Sequence, residues 1–151
     1  MHHGGVGHVV VVLKPEQLQK WREKVPPFTC KTGQTLFYEG HYPYGVYVIH
    51  SGTLALKARK RSRSKRILVS SGSAVGLDLI LEDRPFPWTG VIQEDVEISF
   101  LARTEAIRRI GRRDALLAPL AGAAKQQKRT DTEKSLHAAE RQAAGSGADQ
   151  T

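Results

Sequence analysis

The chain has 151 residues and a formal charge of +8, enough for one domain with tails and a sizeable core. No run of about 18 apolar residues is present for a transmembrane helix, and the valine run at residues 9–13 is too short, and lacks the basic lead, for a signal peptide. A cytoplasmic protein is expected, and the single Cys30 excludes an internal disulfide or an iron–sulfur cluster held by several thiolates of one chain.

Residues 1–13 form an N-terminal segment in which glycine and histidine precede the valine run. The run either adds an edge strand or frays, and His2, His3 and His8 mark an appended or metal-attracting end. Residues 14–124 carry the pattern of a folded domain. Residues 15–24 read as a short helix, with Pro15 in the first turn and Leu18 and Trp21 on one face, stopped by Pro26-Pro27. Residues 28–56 then read as short strands between glycine corners. Gly33, Gly40, Gly45 and Gly52 separate residues 35–38, 46–50 and 53–56, which are rich in β-branched and aromatic side chains. That pattern points to a β-sandwich or small barrel.

Residues 55–69 look like a long hairpin with a basic tip. Lys57, Arg59, Lys60, Arg61, Arg63, Lys65 and Arg66 sit there with no acidic neighbour, and the rest of the chain holds 16 basic against 15 acidic residues. The excess charge is therefore a local patch. It suits phosphates of nucleic acid or anionic lipid, but it lacks aromatic side chains for base stacking, so contact would be to backbone and non-specific. The alternative is a charged loop that resists aggregation, and the Arg-Ser-Arg-Ser run offers Ser62 and Ser64 as phosphorylation acceptors.

Residues 70–73 make a turn, residues 74–76 a brief strand, residues 77–81 one helical turn and residues 82–85 a loop. Residues 88–92 and 95–101 are strands, the second alternating Val96, Ile98 and Phe100 against Asp95, Glu97 and Ser99. Thr104 caps a helix, Glu105 suits its positive end, Ala106, Ile107 and Ile110 make its apolar face, and Gly111 ends it. A second helix starts near Asp114, with Leu116, Leu117, Leu120, Ala121 and Ala124 apolar. Residues 125–151 hold one large apolar residue, Leu136, and read as a polar tail, partly helical and then disordered.

Gly33, Leu36, Glu39-Gly40, Tyr47-Val48-Ile49 and Gly52, in that order, resemble the first half of a cyclic-nucleotide-binding domain of the catabolite-activator type. The resemblance extends over residues 28–110, with a helical continuation. It implies a mainly β fold: an eight-stranded antiparallel β-roll of the double-stranded β-helix or jelly-roll type, with a short N-terminal helix and C-terminal helices. Where the family has aspartate after Glu-Gly, this chain has His41, at a corner that shapes a turn. DNA-binding relatives continue into a helix-turn-helix module. Residues 125–151 lack the apolar residues for one, so no sequence-specific DNA binding is expected.

The family's ligand cassette opens with Gly-Glu, passes through a one-turn helix and closes with Arg and a small residue. The glutamate accepts from the ribose 2′-hydroxyl, the arginine forks onto the cyclic phosphate, and the helix adds N–H groups. Residues 74–89 match this stretch. Gly76 fits the opening glycine, but Leu77 stands at the glutamate position, Phe86 at the arginine position and Pro87 at the small residue. Asp78 and Arg84 are the substitutes at hand for the lost anchors, and Arg84 alternatively pairs with Asp83 or Glu82. Losing a bidentate contact to a buried anion costs about 2–5 kcal/mol, so weak or lost cyclic nucleotide binding is expected. Leu77, Phe86 and Trp88 either line an apolar pocket for another small organic ligand or collapse into the roll, and Thr89 is the last residue of the candidate ligand-binding cassette.

His41 and His50 raise a cupin-like metal reading, because cupins share the β-roll. Pro43 and Gly52 stand two places on from them, so the His-x-His pair of such sites is missing. No Gly-x-x-x-x-Gly-Lys loop or Gly-x-Ser-x-Gly elbow occurs, and Cys30 reads as a buried, inert thiol. No catalytic or metal-ligating residue is assigned. The expected protein is a non-enzymatic sensor or regulatory domain, its effector a cyclic nucleotide or another small organic ligand. A constitutive protein-docking module with a self-filled pocket is the alternative, and a cupin-like metalloprotein the third reading. The expected partners are an unidentified protein or small molecule, a polyanion at the basic hairpin, and a second copy through the C-terminal helices.

Overall fold

The computed structural model describes residues 10–58 and 66–121. His2, His3, His8, Ala124 and the tail from residue 125 lie outside the described residues. The valine run takes the edge-strand alternative, as β1 (Val10–Val12). Helix α1 (Pro15–Lys24) opens on proline, whose missing N–H would have no partner at that position anyway. The Gln17 side chain reaches back to accept from the Lys14 N–H at 3.0 Å, and Trp21 is fully buried.

Six further strands follow: β2 (Phe28–Cys30), β3 (Thr35–Phe37), β4 (Gly45–Lys57), β5 (Arg66–Val69), β6 (Ser73–Val75) and β7 (Thr89–Ala102). All pair antiparallel, in the order β1-β6-β4-β7-β2, with β3 also on β7 and β5 also on β4. The mainly β antiparallel roll with flanking helices is therefore the fold. It has seven strands among the described residues, and the difference from eight has a local cause. β4 and β7 pair from Gly45↔Ala102 to Lys57↔Thr89, with register shifts between Ile49 and Leu54. Gly52 sits in those shifts at φ +90°, where a Cβ would strike the Asp95 carbonyl. A bulge bends a strand without ending its ladder. Gly52 is thus a bend inside β4, not a corner between strands, and β7 runs unbroken opposite it, with Thr53 Oγ1 donating to Glu94 at 2.9 Å.

Side chains alternate across β4. Tyr47 and Ile49 point into an interior cluster with Phe37, Leu54, Leu56, Val96 and Ile98. Val46 and Val48 point to an outer cluster with Leu13, Trp21, Leu77, Ala106 and Leu117. Because both faces are covered, the strand reads as a continuous apolar run. The hairpin arms pair from Leu54↔Val69 to Lys57↔Arg66.

Helix α2 (Leu77–Glu82) joins β6 to the loop before β7, and α3 (Arg103–Gly111) follows β7. Two expectations for α3 are corrected. The helix begins at Arg103 after an uncapped Ala102, so Thr104 lies inside the first turn. Gly111 is the last helical residue, as expected, and the chain turns away through Arg113 at φ +55°. Ala106 is buried, but Ile107 is exposed. Asp114 does open the next helical segment: its Oδ1 accepts from the Leu116 N–H at 2.8 Å, and Leu116, Leu117 and Leu120 are buried.

Candidate functional site

The cassette turns on Gly76. Its φ of +111° strains any residue with a side chain, and a Cβ there would sit 3.0 Å from the Gly45 carbonyl. Glycine lets the chain pass from β6 into α2 tight against β4. The helix ends at Asp83, also left-handed at φ +56°.

The two positions assigned to the anion clamp face opposite sides of the sheet. Leu77 is buried in the outer cluster, against the helices. Phe86 is 2% exposed in the interior cluster, and its ring stacks on Phe37 with centroids 3.9 Å apart and planes 8° from parallel. Its backbone is fixed as well: the Phe86 N–H donates to the His41 carbonyl at 2.9 Å, and its carbonyl accepts from the Gly40 N–H at 2.8 Å. The Glu39 N–H donates to Thr89 Oγ1 at 3.0 Å, so the turn at residues 39–41 grips the lead-in to β7. Trp88 joins Phe86 in the interior, while Pro87 between them is exposed. The shared pocket of Leu77, Phe86 and Trp88 does not form, because the sheet separates Leu77 from the other two.

Asp78 and Arg84 meet each other. Asp78 is 5% exposed, 3.6 Å from Arg84 Nη2, and Arg84 Nε donates to Glu82 at 2.8 Å. Of the two alternatives for Arg84, the Glu82 pairing forms, whereas Asp83 turns to Arg103 at 3.1 Å. A guanidinium held between two carboxylates has its charge compensated in place. Phe37, which fills the space beside Phe86, lies outside the matched cassette of residues 74–89. Its segment alternates as a strand should, but nothing local ties it to Phe86 so far along the chain.

His41 is exposed, its ring 5.4 Å from that of Tyr38. His50 is buried, its Nε2 2.7 Å from Ser99 Oγ, which itself donates to the Val25 carbonyl at 2.5 Å. The one hydroxyl proton of Ser99 is thereby used, so His50 Nε2 carries hydrogen and donates. Burial and then the Arg22 charge lower the His50 pKa, against a smaller opposing effect of Glu97. The two histidines do not converge, and no three His, Cys, Asp or Glu side chains gather to hold a metal among the described residues. Burial raises the pKa of the half-buried Cys30, which keeps the thiol protonated.

Lys57 and Arg66 face each other across the hairpin, both exposed, and Arg66 donates to Gln93 at 3.1 Å. Arg59, Lys60, Arg61, Arg63 and Lys65 lie outside the described residues. A cleft of about 150 Å³ opens away from the cassette, between Glu16, Gln17 and Lys20 of α1 and Ala115, Leu116 and Pro119. No helix among the described residues is long and apolar enough to cross a membrane.

The chain is thus a β-roll with a glycine-led helical turn between strands and helices on its outer face. The Cyclic nucleotide-binding domain profile matches residues 27–114, more than half of the chain, and the chain belongs to that family. Among solved structures it is similar to the N-terminal domain of a transcriptional regulator from Streptomyces coelicolor A3(2), at 24% identity over 80% of this chain and 88% of that one, TM-score 0.60. It is also similar to the catabolite activator protein of Thermus thermophilus, at 19% identity over 87% of this chain and 59% of that one, TM-score 0.57. A third is a mutant regulatory subunit of a cAMP-independent protein kinase A from Trypanosoma brucei bound to cAMP, at 16% identity over 81% of this chain and 45% of that one, TM-score 0.58. At these identities the likeness is one of fold. No curated protein matches the chain.

Proposed function

We propose that this domain is a non-enzymatic regulatory module whose cassette is filled by its own side chains, and that it serves as a protein-docking module with weak or lost affinity for cyclic AMP and cyclic GMP. The observation that carries this reading is Phe86, which stands at the arginine position and stacks on Phe37 inside the roll. A cyclic phosphate entering there would meet a phenyl ring in place of a cation, and an unpaired anion is costly to bury. Leu77 offers the ribose no acceptor. Asp78 and Arg84 neutralise each other, so recruiting either for ligand breaks an existing ion pair.

Calorimetric titration with cyclic AMP and cyclic GMP tests the proposal. No saturable heat is expected at micromolar nucleotide; an isotherm with Kd of about 1 μM, some −8 kcal/mol, would overturn it. The double substitution Leu77→Glu with Phe86→Arg is expected to destabilise the fold without restoring binding, because position 77 faces the helical layer.

A further inference from the structure

Exposed large apolar side chains gather beside the cassette. Tyr38, Tyr42 and Tyr44 share one loop and are each more than half exposed, Tyr44 at 75%; Leu81 near the end of α2 is 41% exposed and Ile107 on α3 is 46%. Arg103 is the junction that brings the loop, α2 and α3 together. Its N–H donates to the Tyr44 carbonyl at 2.7 Å, its Nη1 to the Pro43 carbonyl at 3.5 Å, and its Nη2 to Asp83 at 3.1 Å. Ile107 lies one turn on from Arg103 on the same side of α3. Helical side chains lean toward the preceding turn, which here is that junction. Tyr44, Leu81 and Ile107 are thus exposed apolar side chains on the three segments that meet at Arg103.

The segment that carries Ile107 is basic. Residues 103–114 hold five arginines against Glu105 and Asp114. Glu105 pairs with Arg108 and Arg109, and Asp114 with Arg109. Arg112 and Arg113 are exposed and make no ion pair among the described residues.

We infer that this face docks an acidic amphipathic segment of a partner protein, one apolar side chain covering Tyr44, Leu81 and Ile107 while carboxylates meet Arg112 and Arg113. Charge chooses the occupant. A second copy would set the same basic face against itself across a two-fold axis. The chain's own residues 122–151 carry five basic and four acidic side chains and so bring no complementary charge. A polyanion such as nucleic acid would leave Leu81 and Ile107 uncovered, whereas aromatic and apolar anchors rimmed by arginine are the makeup of protein interface hot spots. The inference extends the docking reading above but does not depend on nucleotide affinity, since Ile107, Arg112 and Arg113 lie outside the cassette.

Selection from a displayed random-peptide library on the full chain tests it. Enriched peptides are expected to place Asp or Glu around Leu, Phe or Trp. In fluorescence anisotropy a consensus peptide is expected to lose about tenfold in affinity on Ile107→Ser, and again on Arg112→Glu with Arg113→Glu, as hot-spot residues do. Both variants should melt like the parent, because the altered side chains are exposed. Four outcomes would overturn the inference: no enrichment, neutral consensus peptides, equal binding of poly-glutamate, or self-association of the chain that Ile107→Ser abolishes. None of these bears on the nucleotide titration, so failure of this inference is distinguishable from failure of the regulatory reading.

Discussion

His50 donates its ring proton to Ser99 and is buried, so a second proton would place a charge in a poorly hydrated spot, with Arg22 adding repulsion that Glu97 only partly offsets. Its pKa in the fold lies below the ordinary value near 6.5. As pH falls through that value the unfolded chain takes up the proton and the folded chain refuses it, so stability is full above it and declines below it. The denaturant midpoint is expected to drop from about pH 7 to pH 5.5, and His50→Gln, which keeps a donor for Ser99 but cannot titrate, should flatten that slope. Equal slopes for the two proteins would show that His50 is not the group responsible. The lowered carboxyl pKa values of Asp95, Glu97 and Glu105 act in the same direction at lower pH, through the carboxylate range, which separates the two windows. At this scale the sequence made legible which anchors were replaced but not where the replacements point. Leu77 and Ile80 lie on one side of α2 and Leu79 on the other, in the interior cluster, and six helical residues are too few to reveal such a split by periodicity.

At the scale of elements, α1, the hairpin, the brief β6 and the turn of α2 were legible because each is bounded by proline, glycine or a change of period. Two strand boundaries were not, because Gly52 as a bulge and Gly52 as a corner carry the same residue and the same positive φ. Only the pairing of β4 with β7 tells them apart. The cap of α3 was misplaced for a related reason. Thr104 is a good capping residue, yet the Arg103 N–H is already met by the Tyr44 carbonyl, so the helix starts without it. The β4–β5 hairpin also carries a prediction. Its arms end at the exposed pair Lys57 and Arg66, and residues 57–66 hold seven basic side chains and no acidic one. Retention on heparin is expected to fall steeply with salt, as counterion release requires, with a slope of about 0.9 per phosphate for duplex DNA. Arg59, Arg61 and Arg63 replaced by serine should abolish retention and leave the melting temperature in place. Unchanged retention at low salt would move the polyanion surface to the arginines of α3.

At the scale of the whole molecule, stability rests on two clusters that share one sheet. The interior cluster draws on β3, β4, β5, β6, α2 and β7, and the outer one draws Leu13, Trp21, Leu77, Ala106 and Leu117 onto the far face of β4 and β7. Trp21 joins the N-terminal helix to residues 116–120, so the first and last parts of the described chain close on each other. This closure argues that the roll does not need residues 125–151. Those residues supply one large apolar side chain, Leu136, and burying it fully contributes only about 1.5–3 kcal/mol. A chain ending at Ala124 is expected to keep a single cooperative thermal transition; even if Leu136 were fully buried, its loss would lower the midpoint by about 3–24 °C, on the ordinary scale of about 2–8 °C per kcal/mol. In a Trp88→Phe background the truncated chain should also keep the buried emission of Trp21, which then reports the outer cluster alone. If the truncated chain loses its cooperative transition, the tail is a structural part of the domain, and a homodimer through the C-terminal helices becomes the reading to test by sedimentation of the intact protein. If it melts normally while Trp21 becomes exposed, the interior cluster folds alone, and α1 is held by the tail rather than by the sheet.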